Sequence, residues 1–248
     1  MKSSKISKMN FEGIMKSATI YYCIFICVVI FLISISDERT TMSGIEVSTI
    51  IFLFVCGLNS FKSNFYFAKS NGISRKTFIK GLLISSIPIA LIMSIIDIII
   101  NRIINIFIKS PTLYDMSYGS LLGDVGRIYE GTWVQINTFS NIFNNILFQF
   151  SFCLLAYVVG IVINMIYYRS NKYLKVLVSV TPVIFLIFNS NISMKNPVLA
   201  MRINNFLDYI FGFDPSNVFA CITTFLVFTL FLSVIAFLLI RKAVINEK

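Results

Sequence analysis

The sequence predicts an all-α, polytopic membrane fold. Three observations carry that prediction: an apolar composition, long uncharged runs that recur along the chain, and a lopsided distribution of basic residues between those runs. Of the 248 residues, 57% are hydrophobic and only 13% charged. With a mean hydropathy of +0.84 the chain is too apolar for a water-soluble domain, so lipid must be its main solvent. Crossing a hydrocarbon core of roughly 30 Å takes about 20 helical residues. Runs near that length fall at 18–36, 45–61, 81–100, 142–168, 173–189 and 217–240, giving six transmembrane helices in a single domain over 1–248.

The segments around these runs follow in order. Before the first run, Phe11, Ile14 and Met15 share one helical face and Lys8, Glu12 and Lys16 the opposite one. This is either an N-terminal interfacial helix or an extension of the first span. The first run begins too deep for a signal peptide and has no small-residue cleavage site after it, so a permanent span is expected. In 62–80, Asn71-Gly72 is a turn or helix stop, and Ser74 with Thr77 can cap the helix that follows. A short helix, a turn and the third span are expected there. The long polar loop 109–141 carries the single tryptophan, Trp133, expected to anchor at lipid head groups. In 197–215, Leu199, Ile203, Phe206, Leu207 and Ile210 recur at helical spacing. That stretch is too short to span, so it is expected as a re-entrant or interfacial outer helix with its apolar face buried.

Charge sets the orientation, because cytoplasmic loops collect Lys and Arg. One side holds Lys2, Lys5, Lys8, Lys16, Lys62, Lys69, Arg75, Lys76, Lys80, Arg169, Lys172, Lys175, Arg241, Lys242 and Lys248, against only Glu12 and Glu247. The other side holds eight acids, Asp37, Glu38, Glu46, Asp115, Asp124, Glu130, Asp208 and Asp214, among fewer bases. Both termini are therefore expected in the cytoplasm. The net charge of +10 follows from this topology and suits anionic membrane lipid; nothing else supports a nucleic-acid partner. Abundant Ile, Lys, Asn and Phe with few Gly and Pro fits an AT-rich bacterial genome, hence a bacterial plasma membrane.

Polar residues inside spans are site candidates, because a charge at a helix centre costs at least about 2.5–3.5 kcal/mol in lipid. Ser94, Asp97, Asn101 and Asn105 form one stripe on the third span. Asp97 lies about 24 Å along that helix from Gly81, near its outer end, where a structural role competes with substrate binding. Asn141, Asn145, Gln149, Cys153, Ala156, Gly160 and Asn164 make a small or polar face on the fourth, suited to helix packing or to a substrate path. Thr181-Pro182 in the fifth span is either a hinge or a static kink. Asp97, Asn101, Asn145, Gln149, Asn164 and Pro182 are thus the candidates for lining a path.

Enzymatic chemistry finds no footing. There is no histidine, which removes the commonest general base and metal ligand. Cys23, Cys27, Cys56, Cys153 and Cys221 sit in apolar runs without a C-x-x-C pair, as small packing residues. No G-x-x-x-x-G-K-[ST] loop, G-x-S-x-G elbow or pair of intramembrane carboxylates is seen; Asp97 stands alone. No cofactor is expected.

In size, in its six runs with an amphipathic segment before the first, and in its first cytoplasmic loop, the chain resembles the permease subunit of type-2, exporter-type ATP-binding cassette transporters. The loop residues Phe67-Ala-Lys-Ser-Asn-Gly-Ile-Ser-Arg-Lys-Thr-Phe78 are similar to the "gly-hydrophobic-ser-arg" loop of many small bacterial permeases of this kind. The outer helix before the last span resembles the family's re-entrant element. No importer-type E-A-A loop is visible. The resemblance implies a dimer of permease chains and a separate cytoplasmic ATP-binding subunit that carries the ATPase activity. With no nucleotide motif in this chain, energy must arrive through a contact, and 62–80 is the one cytoplasmic stretch between spans long enough to make it. Phe65, Phe67 and Phe78 are the expected aromatic anchors, with Arg75 and Lys76 supplying charge. A secondary carrier or channel, and a membrane accessory or immunity protein that does not transport, are the competing readings.

Overall fold

The computed structural model describes residues 2–35, 41–121, 132–213 and 216–241. These form α1 (Lys2–Ile35), α2 (Glu46–Ser60), α3 (Lys62–Ser70), α4 (Arg75–Ile104), α5 (Leu113–Ser117), α6 (Phe139–Arg169), α7 (Lys172–Lys195), α8 (Pro197–Phe211) and α9 (Val218–Arg241). No strand occurs among the described residues. Among the described residues, five stretches are long and apolar enough to cross a membrane: Ser3–Ile35, Glu46–Ser70, Arg75–Ile104, Phe139–Arg169 and Val218–Arg241. The chain therefore has the build of a multi-pass membrane protein.

The amphipathic segment before the first run is continuous with it. No proline interrupts Lys2–Ile35, so α1 is one rod of about 50 Å, longer than a bilayer core. α1 and α4 run parallel at a constant sequence offset: Asn10 meets Ser85 and Tyr22 meets Asp97. Gly81 permits the approach at one end, where a Cβ would stand 2.7 Å from the Ser3 carbonyl oxygen. α2 runs the opposite way beside α6, and the two are parallel to each other. α9 descends with them, Arg169 at the end of α6 donating to the Leu239 carbonyl and Arg75 at the start of α4 to the Arg241 carbonyl. These guanidinium groups tie the starts and ends of neighbouring helices together through backbone carbonyls near the end of α9. The basic residues of α3, of the start of α4 and of the ends of α6 and α9 consequently gather at one end of the bundle, called here the basic end.

α2 and α6 cross at Gly57 and Gly160. A Cβ on Gly57 would lie 2.2 Å from the Tyr157 carbonyl oxygen, and one on Gly160 2.3 Å from that of Phe54. Backbone thus touches backbone, which only small residues allow. The interior combines apolar side chains such as Leu53, Leu82, Ile89, Met93, Tyr157 and Ile161 with polar ones, Asn10, Ser85, Asp97, Asn145 and Gln149. The outward faces of α1, α4 and α9 are apolar, with Ile24, Phe31, Ile87, Ile99 and Leu230 exposed. Lipid reverses the usual rule, since the interior is where polar side chains find partners.

The loops follow their turn chemistry. α3 stops at Asn71 and Gly72, the latter at φ +66°, and Ser74 caps α4 by accepting from the Thr77 amide at 3.2 Å. α8 begins on Pro197 and ends at Gly212 in the left-handed region. None of its side chains is buried within the chain: Leu199 and Phe206, expected on a buried face, are 47% and 62% exposed. Trp133 is the opposite case. It is 1% exposed, packs with Leu121 and donates from its indole nitrogen to Ser120 Oγ at 2.7 Å. Trp133 is the core of its own loop and no head-group anchor, because folding of the loop offers the indole both an apolar bed and an acceptor.

Candidate functional site

The polar side chains of α1, α2, α4 and α6 meet near the end of the bundle away from the basic residues. Asp97 is at their centre. Its Oδ1 accepts from Tyr22 OH and Thr49 Oγ1, each at 2.8 Å, and its Oδ2 from Gln149 Nε2 at 2.9 Å. Tyr21 shares Thr49 and Ser48 through its hydroxyl, at 3.2 and 2.5 Å. One turn beyond Gln149, Asn145 donates to Thr112 Oγ1 at 2.9 Å. Thr112 and Asp115 in turn form the capping box that starts α5. Asn101 donates to the Ser110 carbonyl at 2.9 Å and accepts from Gln135 at 2.9 Å. Asp97, Asn101, Asn145 and Gln149 thus belong to one buried assembly that staples four helices to the loop 105–121.

Beside it lie ionisable side chains with buried atoms that lack hydrogen-bond partners. Both carboxylate oxygens of Glu46, Oδ1 of Asp115 and all three guanidinium nitrogens of Arg102 are buried and unpaired. Glu46 is 2% exposed and Asp115 fully buried, and both act electrostatically on Arg102. Asp97 therefore does not stand alone. Folding sets Glu46 and Asp115, 51 and 18 residues away in sequence, within electrostatic range of the same assembly. Buried groups of this kind are expected to take up water, a proton or a ligand. Among the described residues no set of His, Cys, Asp or Glu side chains is arranged to hold a metal ion.

A second buried network lies toward the basic end. Asn10 donates to Ser85 Oγ at 2.7 Å and to Tyr157 OH at 2.8 Å, and Tyr157 OH donates to Ser60 Oγ at 2.9 Å. Next to it the rings of Phe61, Phe65, Phe78 and Tyr168 close on one another, with Phe65 and Phe78 5.5 Å apart and Phe61 and Tyr168 also 5.5 Å apart. Phe65 is 2% exposed and Phe78 fully buried. This corrects their expected part as docking anchors: a ring already covered by its own chain offers a partner no surface. Phe67, 55% exposed, and Lys76 do face outward, whereas Arg75 is engaged with the Arg241 carbonyl at 3.0 Å.

The remaining path candidates stand apart. Asn164 lines a groove of about 500 Å³ between α2, α6 and α7 with Phe54, Leu58, Ile163, Tyr167, Val178 and Ser179. It is about 22 Å along α6 from Gln149, so the two do not share a cavity. Pro182 falls within helix α7, and its side chain lies outside the described residues. Sequence reading missed Asn10, Tyr22, Thr49, Glu46 and Arg102. Tyr22 and Thr49 had no signal, being single polar groups in apolar runs, but Glu46 and Arg102 are charges within a turn of a span end and could have been flagged. No family model matches the chain, and neither a curated protein nor a solved structure matches it.

Proposed function

We propose that the chain is the permease subunit of an ATP-driven exporter in a bacterial plasma membrane, paired with a second permease chain and driven by a separate cytoplasmic ATPase subunit. In this reading α7 is the sixth span, α8 rests in the outer interface and the basic end is cytoplasmic. The observation that supports it is the rigid projection formed by α3, its turn and the start of α4. The buried Phe61, Phe65 and Phe78 rings and the half-buried Tyr168 ring clamp this element to the bundle, while Phe67, Lys69 and Lys76 are left outside. A lever must be stiff where it joins the helices and open where it is pushed.

The test is affinity purification of the full chain from its native membrane, with ATP hydrolysis read in the eluate. Wild type should carry an ATPase, and Phe67→Asp should lose it at unchanged chain level. No ATPase with wild type, or its retention in Phe67→Asp, overturns the proposal. The unpaired buried atoms of Glu46, Asp115 and Arg102 favour a second reading, an ion-coupled carrier. In that case the purified chain alone, in liposomes without ATP, should move substrate down an ion gradient and Glu46→Gln should abolish it.

A further inference from the structure

On the flank opposite the Asn164 groove, α4 and α9 diverge to leave a lateral groove of about 500 Å³. Its walls are Leu83, Ile84 and Ile87 from α4 and Leu230, Val234 and Phe237 from α9. The hydroxyls along it do not make it polar. Ser86 donates to the Leu83 carbonyl at 2.6 Å, Thr229 to the Phe225 carbonyl at 2.8 Å and Ser233 to the Thr229 carbonyl at 2.8 Å, so each turns its carbon atoms outward. The one charged side chain on the lining is Lys80, at the basic end. Arg241, one turn beyond Phe237, lines a separate groove with Arg169 and Leu238. Lys80 is exposed.

We infer that this groove is a site for an anionic phospholipid, one acyl chain lying between α4 and α9 and the phosphate held by Lys80. The inference needs only that the chain is a membrane protein and is independent of how transport is driven. Charge complementarity selects the occupant. A hydrocarbon slot closed at one end by a cation matches a molecule with an apolar tail and an anionic head. A zwitterionic lipid would place its own ammonium beside Lys80. A helix from a second copy would leave Lys80 facing apolar side chains, an uncompensated charge at the contact. The volume falls within the range of formed ligand sites, about 300–1,000 Å³.

The experiment is native mass spectrometry of the detergent-purified full chain supplied with dioleoyl phosphatidylglycerol or dioleoyl phosphatidylcholine. Wild type should retain the phosphatidylglycerol about fivefold better, the factor that one basic residue contributes near anionic head groups. Lys80→Gln should reduce this preference to near parity and Lys80→Arg should preserve it. Ile84→Trp, at an exposed wall position, should lower retention of both lipids by filling the slot. Lys16→Gln, an exposed cation elsewhere, is the control and should change nothing. Equal retention by wild type overturns the inference, as does a preference that survives Lys80→Gln. Disulfide formation between two copies carrying Ile84→Cys and Leu230→Cys would show that a second chain fills the groove and would overturn it as well.

Discussion

Replacing Gly57 or Gly160 by alanine tests the close crossing of α2 and α6. The added Cβ would fall 2.2 Å from the Tyr157 carbonyl oxygen at Gly57, and 2.3 Å from the Phe54 oxygen and 2.9 Å from the Leu58 nitrogen at Gly160. Ordinary contact begins near 3.4 Å, so the helices must part by about 1 Å. The opposing atoms are backbone, and no rotamer change on the partner helix relieves the clash. Separation also strains the Tyr157 hydrogen bonds to Asn10 and Ser60. Overpacking of this kind costs about 2–3 kcal/mol, which for a chain of this size lowers Tm by roughly 5–10 °C. The two substitutions relieve one another once the helices have parted, so the double variant should fall short of the sum. The assay is thermal unfolding of the purified protein in detergent, followed by labelling of buried Cys153. Gly13→Ala is the internal control, because nothing lies within 4 Å of a Cβ there. It should leave Tm unchanged or raise it, since alanine is favoured over glycine in a helix by up to about 1 kcal/mol. Wild-type Tm in both Gly57→Ala and Gly160→Ala would refute the reasoning.

Three further outcomes are expected. Asp97→Ala takes the acceptor from Thr49 and Gln149, while Tyr22 can turn to the Met93 carbonyl at 3.2 Å; a loss of about 2–3 kcal/mol follows, and an unchanged melting curve would contradict it. Phe78→Ala opens a cavity in the aromatic clamp and should cost about 3–5 kcal/mol. Phe67→Ala, at an exposed position, should stay within about 0.5 kcal/mol, and equal melting of the two variants would show that the clamp is misassigned. In a cysteine-free background, an impermeant thiol reagent applied outside cells should label Asn137→Cys and spare Ser70→Cys; the reverse pattern would invert the orientation.

Much of the architecture was legible because it depends on local chemistry. The apolar runs at 45–61, 81–100, 142–168 and 217–240 became α2, α4, α6 and α9, each shifted or extended by a few residues, since a run long enough to cross hydrocarbon has no competing way to satisfy its backbone. Asn71-Gly72, Ser74, Pro197 and Gly212 punctuate the chain as their backbone preferences require. The join between 2–17 and the first span was open in the sequence, because an amphipathic pattern is equally compatible with a bent or a straight helix. Burial of Ile6, Asn10 and Ile14 against the bundle goes with one continuous rod.

By itself the sequence determined the solvent, the helical class and the positions of most spans, because composition and period are properties of neighbours in the chain. It also singled out Asp97, Asn101, Asn145 and Gln149, since polarity within an apolar run is visible one residue at a time. Only the tertiary structure decided what those residues face. Whether Asp97 is alone depends on where Tyr22, Thr49, Gln149 and Glu46 arrive, and those positions come from three other helices and from a glycine crossing that sets their spacing. The same holds for the aromatics of 62–80. Phe65, Phe67 and Phe78 look alike in sequence, and a difference of two residues along α3 turns one ring into the clamp and another outward to whatever lies beyond the chain.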